Sequence, residues 1–246
     1  MKKSNLKILA FILAREGSTG VPGKNIKLIN NKPLIGYTIE VAKASNYINR
    51  IIVATDGKDI SRVAKEFGAE VPFMRPDEMS QKLSRAYDVY RYYIKKLKDE
   101  ESYRPDIFVC LFSTSYSKIT EEIDAAIEKL IKTKCDWVLT VTECEHHPYR
   151  CFKPLDNDKI INFCTDVKSY DIWGNRQELP LTYRINGNAF VTWTENIENY
   201  ETYNIDMVDY RDSDIRYVLC PQENSMDIDS PIDFEFANYF LTQKNK

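Results

Sequence analysis

Residues Ile8-Leu-Ala-Phe-Ile-Leu-Ala-Arg-Glu-Gly-Ser-Thr-Gly-Val-Pro-Gly-Lys-Asn25 set the fold class. The apolar run Ile8–Ala14 has the length of a strand buried on both faces, and it breaks into a loop whose three glycines are spaced by three. A strand buried on both sides belongs in a mostly parallel sheet covered by helices. In such sheets ligands bind beyond the carboxyl ends of the strands, where this loop falls. Gly17, Gly20 and Gly23, flanked by Arg15 and Lys24, suit a turn whose amides and cations enclose phosphates. The loop is not a P-loop, because five residues separate Gly17 from Gly23 where that motif has four. Asn25 also stands where a Ser or Thr would hold magnesium, and G-x-G-x-x-G does not match either. On spacing alone, a phosphate loop and an ordinary flexible loop both stay open.

Working outward, strand and helix signals alternate through residue 142. Leu34, Ile35, Ile39 and Ala42 keep helical spacing, Ile51–Thr55 reads as a strand, and Ile60, Val63, Ala64 and Phe67 mark a helix stopped at Gly68. Val89, Tyr93 and Leu97 predict a third helix, with the Tyr87–Tyr93 run as its packed face. The strand Ile107–Phe112 follows, then a fourth helix capped by Thr120, and the strand Trp137–Thr142. Residues 143–185 lose this rhythm, apart from strand-like Lys159–Cys164, and read as an arm inserted into one α/β domain spanning 1–246. Asn188–Trp193 and Ile215–Leu219 are returning strands. Ser230, Pro231 and Asp233 form a capping-box start to a last helix with Ile232, Phe236 and Phe240 on its apolar face.

The chain has 246 residues, 43% hydrophobic and 29% charged, enough to bury a core and too apolar for disorder. A net charge of −3 gives no support for general nucleic-acid binding. Its distribution is uneven: residues 1–35 carry seven Lys/Arg against one acid, and residues 201–246 carry ten acids against four Lys/Arg. The two ends can meet at one anion-plus-metal site or form two solvated surfaces. Six cysteines without a C-x-x-C pair read as buried reduced thiols. No apolar run is long enough for a membrane helix, and Arg15 and Glu16 interrupt the signal-like start, so a cytoplasmic protein with no membrane partner is expected.

From Ile12 to Asn25 the loop resembles the opening signature of the acylneuraminate cytidylyltransferases, the CMP-sialic acid synthetase family. Further matches follow in order: Asn31-Lys-Pro-Leu-Ile-Gly-Tyr-Thr-Ile39, Val53-Ala-Thr-Asp-Gly57, Gly68-Ala-Glu-Val-Pro-Phe-Met-Arg-Pro76 and Glu145-His-His-Pro148. Then come Arg176-Gln-Glu-Leu-Pro-Leu-Thr-Tyr-Arg184, Asn186-Gly187 and Met226-Asp-Ile-Asp229, so the resemblance spans nearly the full length. It implies a Rossmann-like nucleotide-diphospho-sugar transferase fold that is α/β, with a mostly parallel sheet and a dimerisation arm, working as a homodimer. It also implies transfer of CMP from CTP to the anomeric hydroxyl of a nine-carbon acid sugar, with Mg²⁺, in a surface-glycan pathway.

Carried over by position, the resemblance gives Ala14, Arg15, Gly17, Ser18, Lys24, Asn25 and Arg75 as nucleotide contacts. It gives Asp227 and Asp229 as magnesium ligands, and Arg15, Lys24 and Asp229 as the catalytic set. Phe112, Ser113, Arg150, Arg176 and Arg184 fall at the sugar. Cations and Mg²⁺ are what attack on a triphosphate requires, since they screen its charge. Taken alone, Asp-x-Asp before a helix is also turn and capping chemistry. Asp56 has a turn as its other reading, and Arg176 and Arg184 have surface ion pairing. Adjacent His146 and His147 point to opposite faces of an extended segment, against a shared metal.

Departures from the pattern cluster at the nucleotide rim and sugar pocket. Thr19 replaces a lysine, Phe112 a glutamine, Lys82 an aspartate and Arg150 a lysine. These changes leave the acidic pair intact and point to a less hydroxylated acceptor, legionaminic- or pseudaminic-type rather than N-acetylneuraminate. A Kdo-like acid acceptor and a catalytically silent nucleotide-binding paralogue are the competing readings.

Overall fold

A computed structural model describes residues 5–17, 20–164, 173–199 and 213–244. Ten strands and six helices are formed over these residues. The main sheet contains β1 (Ile8–Leu13), β4 (Arg50–Ala54), β5 (Ile107–Phe112), β6 (Trp137–Glu143), β9 (Tyr183–Trp193) and β10 (Ile215–Leu219), in the order β10-β6-β9-β5-β1-β4. β1 pairs parallel with β4 and β5, and β10 with β6, while β9 runs antiparallel between β5 and β6. The structure therefore bears out the mostly parallel α/β sheet.

Alternate residues of β1 go to opposite faces, which is why its run is unbroken. Ile8, Ala10 and Ile12 pack with α1 (Leu34–Ala44), α2 (Lys58–Glu66) and α4 (Thr120–Thr133). Leu9 and Phe11 pack with α3 (Ala86–Glu101) and α5 (Thr194–Glu198). On that second face Phe11 sits edge-on to Tyr90 and Tyr93, so the tyrosine run is indeed a packed helix face.

β9 is longer than the expected Asn188–Trp193. Its register with β6 shifts between Leu139 and Val141, where Gly187 takes φ 72° and Asn186 folds back to accept the Asn188 N–H at 3.1 Å. Between β6 and β9 the chain makes a two-stranded sheet, β7 (Phe152–Pro154) against β8 (Ile160–Asn162), closed by left-handed Asn157 and Asp158. Strand β7 carries no period that sequence reading could find. A second small hairpin, β2 (Leu28–Ile29) with β3 (Lys32–Pro33), links the glycine loop to α1.

Three local expectations are corrected. Thr120 is the first helical residue of α4, not its cap; its Oγ1 donates to the Val41 carbonyl at 3.1 Å and ties α4 to α1. The final helix α6 (Pro231–Lys244) does start with a capping box, in which the Ser230 N–H and hydroxyl donate to Asp233 at 2.7 and 2.8 Å. Of the expected face only Phe240 packs inward, beside the buried Phe234 and Ala237, whereas Ile232 and Phe236 are 76% and 53% exposed. Apolar residues lie on both sides of this helix, so spacing alone cannot choose between them. Finally, Cys110, Cys135 and Cys220 are buried thiols, but Cys144 and Cys164 are half-buried and Cys151 is exposed.

Candidate active site

The carboxyl ends of β1 and β5 and the start of α3 enclose a cleft of about 480 Å³. Arg15, Lys24, Asn25, Arg75, Ser113 and Asp229 line it, together with Leu13, Gly20, Gln81, Lys82, Ser84, Ala86 and Thr114. Four cationic side chains thus face one carboxylate, the balance an anionic ligand requires. A larger open groove of about 810 Å³ runs along α3. There Arg85, Arg91, Lys95 and Lys98 are offset by Glu78, Asp88, Asp99 and Glu198, and none of the glycine-loop residues reaches it.

Asn25 knits the two strand ends together. It is 4% exposed, donates to the Arg15 carbonyl at 2.9 Å, and accepts from the Ser113 hydroxyl at 2.6 Å. A buried amide with both ends satisfied fixes the loop's exit from β1. On the other flank Asp56 accepts the Glu16 N–H at 2.8 Å, so this acid holds the loop's entry. Arg75 is 6% exposed and its guanidinium donates to the Met79 carbonyl; Arg15 reaches the Gln81 carbonyl at 3.3 Å. Together these two arginines anchor the 77–85 segment as one wall of the cleft. Burial depresses the pKa of Arg75; neighbouring Asp56 opposes that shift and Arg15 adds to it.

The acidic segment is drawn in from the far end of the chain. Ile228 N–H donates to the Thr114 carbonyl at 3.2 Å, and Met226 N–H to the Ser117 hydroxyl at 3.0 Å. Lys24 Nζ donates to the Ile228 carbonyl and lies 3.7 Å from Asp229 Oδ1. A side chain at Gly20 would place its Cβ 2.1 Å from the Asp229 carbonyl oxygen, so glycine is required for this close approach. The basic start and acidic finish therefore meet at one cleft. Asp229 lines it; Asp227 does not, and its Oδ1 accepts the Ile228 N–H at 2.9 Å. Two carboxylates are donors that Mg²⁺ takes alongside phosphate and water, so the donor chemistry of this pair fits that ion. Among the described residues no group of three or more metal-ligating side chains gathers.

Beneath the cleft, Lys118 is 3% exposed and donates to Thr38 Oγ1 at 3.0 Å and to the Phe112 carbonyl. Burial pulls its pKa down to about 7, against a smaller opposing pull from Asp227.

Other expected residues lie elsewhere. Ala14 is buried, donating its N–H to the Ala54 carbonyl at 3.1 Å, and Gly17 does not line the cleft. Ser18 and Thr19 lie outside the described residues. Phe112 lines a separate small cavity beside the cleft. Arg150 donates to the Gly174 carbonyl at 2.6 Å. Arg184 forms a two-pronged pair with Glu145 at 2.7 and 2.6 Å, holding that carboxyl down at about 2. Arg176 sits in the exposed turn Arg176–Glu178. In this chain the three arm arginines are not brought to the cleft. His147 accepts the Tyr149 N–H through Nδ1 and donates from Nε2 to the Pro180 carbonyl, a bracing role. Sequence reading missed the contribution of Gln81, Ser84, Ala86 and Thr114, which carry no motif. It flagged Lys82 only as a departure, and the fold turns that departure into a fourth cation in the cleft.

A family model described as cytidylyltransferase matches residues 9–245. The N-acylneuraminate cytidylyltransferase of Escherichia coli O18:K1:H7 is 30% identical over 243 residues, 98% of this chain. This chain spans about half (53%) of that protein's length. The pseudaminic acid cytidylyltransferase of Campylobacter jejuni is 31% identical over 232 residues, covering 94% of this chain and 95% of that one. Among solved structures, a CMP:2-keto-3-deoxy-manno-octonic acid synthetase complexed with CTP superposes with a TM-score of 0.74. It covers 97% of this chain and 99% of that chain at 16% identity, a likeness of fold.

Proposed function

Because this chain belongs to the cytidylyltransferase family, we propose that it transfers CMP from CTP to the anomeric hydroxyl of a sialic-acid-like nonulosonic acid. The observation that carries the reading is the cleft itself. Arg15, Lys24, Arg75 and Lys82 converge at the ends of β1 and β5, against Asp229 on the acidic segment. A triphosphate of about four negative charges needs such a constellation for an oxygen nucleophile to approach its α-phosphorus. The acceptor hydroxyl loses its proton to solvent as its oxygen forms a bond to that phosphorus, the bond to the β-phosphate oxygen breaks, and pyrophosphate leaves with the electron pair. Lys24 and Arg15 bind and screen the phosphates, and Asn25 keeps the loop in register with Ser113.

Asp227 and Asp229 would hold Mg²⁺, which supplies Lewis-acid polarisation of the phosphate and neutralises its developing charge. Lys24 lies 3.7 Å from the Asp229 carboxylate, beside the position where the ion would sit. The acceptor is of the pseudaminic or legionaminic type. Relatives named for both kinds of acceptor are equally similar, and the apolar Phe112 is what supports this choice over N-acetylneuraminate.

A second copy of the chain covers the arm. Phe152, Ile161, Phe163 and Trp173 stand exposed there, with Trp173 at 85%, and exposed apolar clusters of this kind mark protein contacts. No helix among the described residues is long and apolar enough to cross a membrane. A cytoplasmic site of action in surface-glycan synthesis is our reading.

The test is pyrophosphate release with CTP, Mg²⁺ and a panel of N-acetylneuraminate, legionaminate, pseudaminate and the eight-carbon acid Kdo. Release with a nonulosonic acid is expected. Preference for Kdo would reassign the acceptor, and no release with any acid would refute the activity.

A further inference from the structure

Glu122 lies in the first turn of α4 at 7% exposure, and its side-chain partners all come from other elements. Asn224 Nδ2 donates to its Oε1 at 2.8 Å, and Asn188 Nδ2 to its Oε2 at 3.0 Å. Burial raises the pKa of Glu122, and hydrogen bonds from Asn224, the Cys220 thiol, Asn188 and the Ile119 N–H oppose that shift. The same Asn188 amide donates to the Asn224 carbonyl at 2.7 Å, and Asn186 Nδ2 donates to Ser225 Oγ at 2.9 Å. Both asparagines come from the irregular part of β9, with the left-handed Gly187 between them. One carboxylate and two amides thus clamp residues 224 and 225, which lead directly into Met226–Asp229. Asn188 Oδ1 has no hydrogen-bond partner among the described residues. A buried polar cluster with an open acceptor is a poor device for stability alone, so its use lies in what it holds.

We propose that Glu122 is a positioning residue for the metal-ligand pair. Through Asn224 it fixes the near end of the acidic segment, and so sets where Asp227 and Asp229 stand against the phosphate loop. The inference rests on the cytidylyltransferase reading above and names what presents its metal ligands. Asn224 is three residues from Asp227 and five from Asp229. The far end of the segment is held by its close approach to Gly20 and by Lys24. With the near end released, the two carboxylates keep their chemistry but lose their fixed distance from Lys24 and the loop. Asp124 supplies the contrast. It is also buried on α4, at 9% exposure, but its carboxylate accepts from the Ser45 hydroxyl and from both nitrogens of Asn46, so it holds the turn after α1 instead.

Glu122→Gln keeps the volume but turns one acceptor into a donor that faces the amide of Asn224 or Asn188, so one tether opens. The Mg²⁺ concentration for half-maximal pyrophosphate release should rise about tenfold, with the KM for the acid sugar little changed. A readout that needs no turnover is the rise in melting temperature that Mg²⁺ adds to the protein in the presence of CTP. Glu122→Gln should lose most of that rise. Asn224→Ala cuts the tether from the other side and should do the same, which guards against one variant failing to fold. Asp124→Asn should lower the starting melting temperature and leave both Mg²⁺ readouts as in wild type. Unchanged Mg²⁺ readouts in Glu122→Gln and Asn224→Ala, or an equal shift in Asp124→Asn, would make the clamp a support of the fold and overturn the inference, while CMP-sugar formation would still stand. Absence of product with every acid sugar would remove the activity, and the melting readout would still decide the clamp. No Mg²⁺-dependent rise in the wild-type protein would overturn the role of Glu122 together with the metal pair.

Discussion

Lys118 offers the sharpest test of the electrostatics under the cleft. Its ammonium is buried with two neutral oxygens, Thr38 Oγ1 and the Phe112 carbonyl, as hydrogen-bond partners, and burial lowers its pKa from 10.5 to about 7. In the unfolded chain the ordinary value returns, so between about pH 7 and 10.5 the unfolded state binds more protons than the folded one. Stability tied to this group is complete above pH 10.5, falls as the pH drops through that window, and is fully lost below about 7. Within the window the slope approaches about 1.4 kcal/mol per pH unit.

Lys118→Met keeps the volume and removes the titration. Its loss of two hydrogen bonds is a constant offset across this range. The stability of Lys118→Met relative to wild type should therefore decline by roughly 3 kcal/mol between pH 7 and 9.5, on the order of two units of that slope. Tyr103 and Tyr116, each pushed up to about 12, contribute little in that interval, while the Cys110 and Cys220 thiols, raised from 9.0 to about 12, lower stability toward pH 9.5 in both proteins and so largely drop out of the difference. Urea denaturation of both proteins at pH 7, 8, 9 and 9.5, followed by far-ultraviolet circular dichroism, measures the difference directly. Parallel pH profiles would refute the reasoning, because they would mean that Lys118 titrates alike in both states.

Lys24→Ala should raise the KM for CTP and cut turnover, since a cation is lost beside Asp229 and the phosphates; unchanged steady-state kinetics would displace the triphosphate from the loop. Asp227→Asn and Asp229→Asn should each nearly abolish turnover while melting curves barely move, because amides are poorer Mg²⁺ ligands. Full activity in both would place the ligands elsewhere. Lys82→Ala should weaken CTP binding by calorimetry, about tenfold or less for a cation at an open rim, and no change would show that it faces solvent. Gly20→Ala forces a contact of 2.1 Å with the Asp229 carbonyl, so it should displace the acidic segment and lower activity more than stability. Wild-type kinetics in that variant would mean that the loop can move aside freely.

Local pattern determined much of this protein. The unbroken runs of β1, β4, β5 and β6, the helices between them and the Ser230–Asp233 capping box are written in residues a few positions apart. Short-range periodicity and capping chemistry need no knowledge of the rest of the chain. The glycine loop was legible as a phosphate candidate for the same reason, and the family resemblance supplied its partner acids. What the sequence left open depends on contacts between distant segments. Lys24 meets Ile228 across 204 residues, and with the Thr114 and Ser117 contacts that pairing turns two charged ends into one cleft. The choice of face on α6, the antiparallel β9 among parallel strands, and the commitment of Arg184 to Glu145 were settled by which surface was available to bury or pair. Lys82 and Phe112 illustrate the division: sequence marked them as departures, and only the packing of α3 against β5 and β9 gave one a place in the cleft and the other a cavity. Burial and long-range pairing are properties of the assembled surface, and no local spacing encodes them.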